Sequence, residues 1–216
     1  MVITSKLIPI SILVLSFAAG IISFYIMSDL PKEEKKKQID ELISQLVNFV
    51  LFIWLGKILL HFSIFIKDPL AILAYPANSD SFYLAALGIV IVLFYKSFRK
   101  QLNVLALMKS FLHVFLVASF LYEFIQFVWY NNPYAFGYLI VLAILLLLYF
   151  LLYRRITASL LLMVMVGGWS LGMWMLTSIQ PFVTVFGYIM EPWFVGLFFM
   201  LSFVILINKR RKGDVQ

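Results

Sequence analysis

The feature that most constrains this chain is a succession of apolar runs, each near the length that crosses a bilayer. Spanning about 30 Å of hydrocarbon at about 1.5 Å per helical residue takes about 20 residues. Runs of that order lie at 7–27, 44–66, 82–97, 103–130, 135–153, 156–177 and 182–208, the third and the seventh being the weakest. Hydrophobic residues make up 64% of the sequence and charged residues 12%, too much apolar surface for one water-facing core. Lipid must solvate most of it, and in lipid each span has to satisfy its own backbone hydrogen bonds. The expected fold class is therefore all-α, a polytopic membrane helix bundle of about seven transmembrane helices. Breakers separate the runs at Leu30-Pro31, Tyr75-Pro76-Ala77-Asn78, Asn131-Asn132-Pro133 and Gln180-Pro181.

Orientation follows from counting Lys and Arg, which collect on the cytoplasmic side. With seven spans one side receives 14 of them: Lys32, Lys35, Lys36, Lys37, Lys96, Arg99, Lys100, Lys109, Arg154, Arg155, Lys209, Arg210, Arg211 and Lys212. The other side receives Lys6 and Lys67, while Lys57 falls inside a span. The count places the N-terminus outside, the C-terminus in the cytoplasm and the protein in the cell membrane. Leu7 to Met27, preceded by Lys6 and containing Ala18, Ala19 and Gly20, also has the ingredients of a cleavable signal peptide. Its length and the lysines that follow favour a span.

The chain reads as one integral membrane domain over 1–216, without internal repeats. Residues 28–43 form a cytoplasmic amphipathic extension of the second span, with Ile39, Leu42, Ile43, Leu46 and Val47 at helical spacing, and 209–216 form a basic tail. The segment from Lys67 to Ser81 is expected as an external loop, its alternative being a piece that lies in the interface or dips into the protein. The net charge of +7 sits in clusters beside apolar runs, where anionic headgroups attract it. Membrane lipids, not nucleic acid, are the expected partners. The absence of cysteine excludes a dithiol relay, a thiolate nucleophile and a cysteine-ligated metal.

Ionisable groups inside a span are costly, so each is a functional candidate. Glu123 and Glu191 are the carboxylates within the expected spans, with Lys57, His61 and His113 beside them. Helix rise puts Lys57 roughly 18 Å, and His61, Glu123 and Glu191 each roughly 24 Å, above the cytoplasmic boundary. Lys57 and His61, four residues apart, share a helix face. The expectation is a polar substrate-binding pocket in the outer half built from Lys57, His61, Glu123 and Glu191, with Gln126, Tyr188, Tyr122 and Tyr130 as lining. The bland counterpart is two ion pairs that fix helix packing, with Glu191 in the interface just before a helix that starts at Pro192.

His113, only about 9 Å from the inner boundary, cannot share a haem with His61 and reads as a packing or interfacial residue near Lys109. No H-E-x-x-H motif is present, and the last span holds no Schiff-base lysine between Pro192 and Ile207, so neither a metal nor a cofactor is expected. Gly168 and Gly172 form a GxxxG pattern that lets a helix approach closely, either within the chain or in a homodimer or with another membrane protein. Three function classes follow. The first is binding or transport of a small solute, ion or amphiphile, including a lipid ligand, through the pocket. The second is an accessory, assembly or immunity-type subunit without chemistry. The third is an enzyme acting on an outer-leaflet lipid or lipid-linked substrate, with His61 as base and Glu123 as its partner.

Overall fold

A computed structural model of the chain describes residues 2–70, 72, 77–99 and 102–213. The helices are α1 (Val2–Met27), α2 (Lys32–Leu60), the short α3 (Phe62–Lys67), α4 (Ser79–Phe98), α5 (Val104–Val128), α6 (Pro133–Leu152), α7 (Ala158–Ile179) and α8 (Pro192–Gly213). Between α7 and α8 lies a two-stranded hairpin, β1 (Thr184–Val185) and β2 (Tyr188–Ile189). Six helices among the described residues, α1, α2 and α4 to α7, are long and apolar enough to cross a membrane. The protein is an integral, multi-pass, all-α membrane protein. Many large apolar side chains on these helices face outward, Leu59, Phe94, Leu147 and Leu171 among them, as lipid-facing positions should.

Local chemistry explains where the helices begin. Glu33 and Glu34 occupy the first turn of α2, where carboxylates complement the helix dipole. Asn78 caps α4, its side chain accepting from the Ser81 N–H at 3.0 Å. Asn132 caps α6 with Pro133 in the first turn, and Thr157 caps α7. Two expected spans end differently from the hydropathy reading. The second stops at Leu60, His61 adopts a turn conformation, and α3 starts afresh at Phe62. The seventh does not begin at 182: its first third is the hairpin, and helix resumes only at Pro192. The segment expected as an external loop or interfacial piece lies partly outside the described residues, at 71 and 73–76.

The chain groups into two compact units. One contains α2, α3 and α4. Its two long helices approach closely because Gly56 has no side chain: a Cβ there would stand 3.2 Å from the Ser81 carbonyl oxygen. The ring of Phe52 occupies the space over Gly88, and Lys96 of α4 donates to Glu41 of α2 at 2.5 Å.

The other unit contains α1, α5 from Met108 onward, α6, α7, the hairpin and α8. Gly20 of α1 lies so near α5 that an added Cβ would meet the Val114 carbonyl oxygen at 2.7 Å. Gly168 and Gly172 of α7 face α6, where a Cβ would meet Leu145 at 3.0 Å and Val141 at 2.6 Å respectively. The small-residue pattern thus seats α6 against α7. Trp169 of α7 donates its indole N–H to the Tyr138 hydroxyl of α6 at 2.8 Å, and its ring meets Phe115 of α5 and Phe198 of α8.

Candidate functional site

The six residues expected to form one pocket fall two and four between the units. Lys57 is in the last turn of α2 and only 8% exposed. His61 occupies the break after α2, its backbone N–H donating to the Lys57 carbonyl. Glu123 and Gln126 are on α5, Tyr188 is in β2, and Glu191 immediately precedes α8. Glu191 is exposed, and its carbonyl accepts from the Phe194 and Val195 N–H groups. It stands at a helix start and outside any span, because the hairpin takes up the residues that hydropathy assigns to the helix.

Within the five-helix unit the hairpin has an unusual position. Its register pairs Thr184 with Ile189 and Val185 with Tyr188. Phe186 and Gly187 make the turn with φ of 52° and 85°, the two positive values that a type I′ turn requires. Glycine tolerates such a conformation, whereas a bulky residue there is rare and strained. Phe186 is held by its ring, 4.9 Å from Phe17 of α1, 5.5 Å from Tyr122 and 5.9 Å from Phe115 of α5, centroid to centroid. Phe17 lies ten residues, or about 15 Å, from the end of α1 at Met27. The turn therefore reaches well into the apolar depth of the helices. Val183, Val185 and Met190 are each buried to 2% exposure. Non-helical backbone at such depth persists only where protein buries it or where it lines a cavity, which marks this end of the unit as specialised.

Glu123 belongs to the same neighbourhood. It follows Tyr122, whose hydroxyl lies 3.2 Å from where a Gly187 Cβ would sit, and Tyr122 in turn is hydrogen-bonded to Gln126. Glu123 is 2% exposed, and its Oε1 has no hydrogen-bond partner. A carboxyl held this way lacks the donor that a merely structural buried carboxylate normally has.

The other end of the unit holds a site that sequence reasoning passed over. His113 of α5 is 3% exposed, and its Nε2 lies 3.0 Å from the Ser23 hydroxyl of α1. Its ring meets Phe24, Tyr149 and Phe150 edge-on. Met27, His113, Tyr149, Phe150, Tyr153 and Arg154 line a cavity of about 210 Å³. At its rim Arg154 donates from Nε and Nη2 to the two carboxylate oxygens of Asp29, at 2.9 and 2.5 Å. Those bonds hold the guanidinium pKa above its ordinary value. Lys109 lies 3.9 Å from the Tyr153 ring centroid. The sequence did carry a signal: Lys109 and His113 are four apart on α5, and Tyr149 and Tyr153 four apart at the end of α6, so two polar-aromatic faces were available to meet. Hydropathy alone files such residues under interfacial aromatics.

Among the described residues no group of three or more His, Asp or Glu side chains comes close enough to hold a metal ion. Comparison with protein-family models, curated proteins and solved structures finds no match to this chain.

Proposed function

We propose that this protein binds or transports a small solute, ion or amphiphile, and that the Glu123 carboxyl in the five-helix unit is the group its cargo engages. The observation that carries this reading is a carboxyl at 2% exposure with an oxygen lacking any hydrogen-bond partner, beside a strained hairpin turn at apolar depth. Intramembrane carboxyls are retained where they serve an ion, proton or substrate path, and non-helical backbone at depth is retained where protein buries it or where it lines a cavity. A proton, a cation or a donor on the ligand would complete Glu123. The proposal rests on the five-helix unit alone.

The test is reconstitution into liposomes and measurement of proton, sodium and amino-acid fluxes under an imposed gradient. Glu123→Gln keeps size and shape and is expected to lower the flux at least about tenfold, a loss of about 1.4 kcal/mol or more, while the protein still accumulates. Absence of flux in the wild type, together with reproducible co-purification of one membrane partner, would instead support an accessory subunit, and unchanged flux in Glu123→Gln would remove Glu123 from the path.

The finer topology belongs to the same reading: α8 is the seventh span, the N-terminus is outside, and the C-terminus is in the cytoplasm of a cell whose plasma membrane holds the protein. The 14 to 2 distribution of Lys and Arg supports it. Because the chain has no cysteine, single substitutions report directly. A membrane-impermeant maleimide should label Lys67→Cys in intact cells and Lys36→Cys only after permeabilisation; the opposite pattern reverses the topology.

A further inference from the structure

The cavity around His113 is independent of Glu123 and sits where α1 and α6 both end, so its mouth is at the boundary of the apolar layer. Its walls are aromatic and its rim is basic: Lys109 and Arg154 outnumber Asp29 among the charged groups there. Asp29 engages two of the five N–H donors of Arg154 and fixes the direction of the fork. The remaining donors stay available to a ligand. Tyr149 supplies the second observation. It lines the cavity, is 1% exposed, and its hydroxyl has no hydrogen-bond partner. A buried phenol normally finds one. The cavity's volume is several times the share of about 30 Å³ that one water takes in the liquid, so a phosphate group with its first carbons fits.

We propose that this cavity binds the phosphate group of an anionic lipid or a soluble phosphate ester. Arg154 meets the phosphate through its free N–H groups, Lys109 adds charge at the rim, and Tyr149 completes the site with its hydroxyl. The aromatic walls and Met27 accept the first carbons of the ligand. A lone cation finds no carboxylate among the lining residues, and Asp29 at the rim is already paired with Arg154. An anion finds a net positive mouth.

The experiment uses the full chain in neutral detergent at low salt, with binding followed by native mass spectrometry and by thermal shift. The probes are dihexanoyl phosphatidylglycerol, dihexanoyl phosphatidylcholine and inorganic phosphate. Phosphatidylglycerol is expected to bind and raise the melting temperature, more weakly at high salt, with phosphatidylcholine at least about fivefold weaker, by loss of net anionic charge. Binding of phosphatidylglycerol without inorganic phosphate identifies a lipid as the source; binding of inorganic phosphate identifies a soluble phosphate ester. Arg154→Gln is expected to weaken binding about tenfold, the loss of one charge-assisted hydrogen bond. Tyr149→Phe, which removes a single oxygen and keeps the ring, should weaken it about fivefold. The proposal falls if neither phosphate probe binds, if phosphatidylcholine binds as well as phosphatidylglycerol, or if Tyr149→Phe binds like the wild type. The Tyr149 variant decides the matter even if Arg154→Gln fails to fold.

Discussion

Two carboxylates separate the two units of this protein. Glu41, in the α2–α4 unit, accepts from Lys96 and from Gln45 and keeps 21% of its side chain exposed. Glu123, in the five-helix unit, is at 2% exposure with an oxygen that nothing satisfies. Among the described residues of the α2–α4 unit the helices meet through glycine and aromatic packing, and no β-structure enters. In the five-helix unit a strained hairpin reaches apolar depth, and among the described residues its buried oxygens without partners include a carboxyl oxygen, on Glu123, and a phenol, on Tyr149, whereas those of the α2–α4 unit are the amide oxygens of Gln38 and Gln45. Stability arguments account for Glu41. They leave Glu123 unexplained, and polar groups that folding alone would not retain are where function is expected.

Six substitutions break or sharpen that contrast. Phe186→Ala should have the largest effect on stability, about 3 kcal/mol, because it removes the ring that holds the hairpin against α1 and α5; thermal unfolding in detergent measures it. Gly20→Ala comes next at about 2 kcal/mol, since the new Cβ meets main-chain oxygen 2.7 Å away and backbone cannot rotate aside. Gly167→Ala, with only Phe199 at 3.9 Å, is the control and should be neutral or slightly stabilising.

Glu41→Gln should cost only about 0.5 kcal/mol, as for partly exposed ion pairs, and less at high salt. Glu123→Gln should change stability by no more than about 0.5 kcal/mol, while removing flux. The contrast collapses if Glu123→Gln unfolds the protein or if Glu41→Gln abolishes flux. Asp29→Asn should leave the unfolding temperature unchanged within error, because Arg154 and Asp29 keep 73% and 55% of their side chains exposed, and its effect should be confined to phosphate binding.

Much of the fold was legible because hydropathy and helix caps are local. The runs at 82–97, 103–130, 135–153 and 156–177 reappear as α4 to α7, moved by three residues or fewer at each end, and Asn132-Pro133 announced the start of α6 in its own chemistry. The run at 182–208 misled for a physical reason. Val183, Val185, Ile189 and Met190 are as apolar as helix residues, but Phe186 and Gly187 adopt positive φ, and a phenylalanine gives no warning of a type I′ turn. Glu191 was consequently read inside a helix that starts after it. His113 was read as packing, and its edge-on aromatic neighbours agree with that. The cavity beside it needed α1, α5 and α6 to meet.

The sequence by itself determined that this chain lives in lipid and where most of its helices run, because burial of apolar length and satisfaction of backbone hydrogen bonds are settled residue by residue along the chain. Only the tertiary structure decided which polar groups found partners. Lys96 reaches Glu41 and Ser23 reaches His113 because distant helices were brought side by side, and Glu123 Oε1 is left without a partner by the same packing.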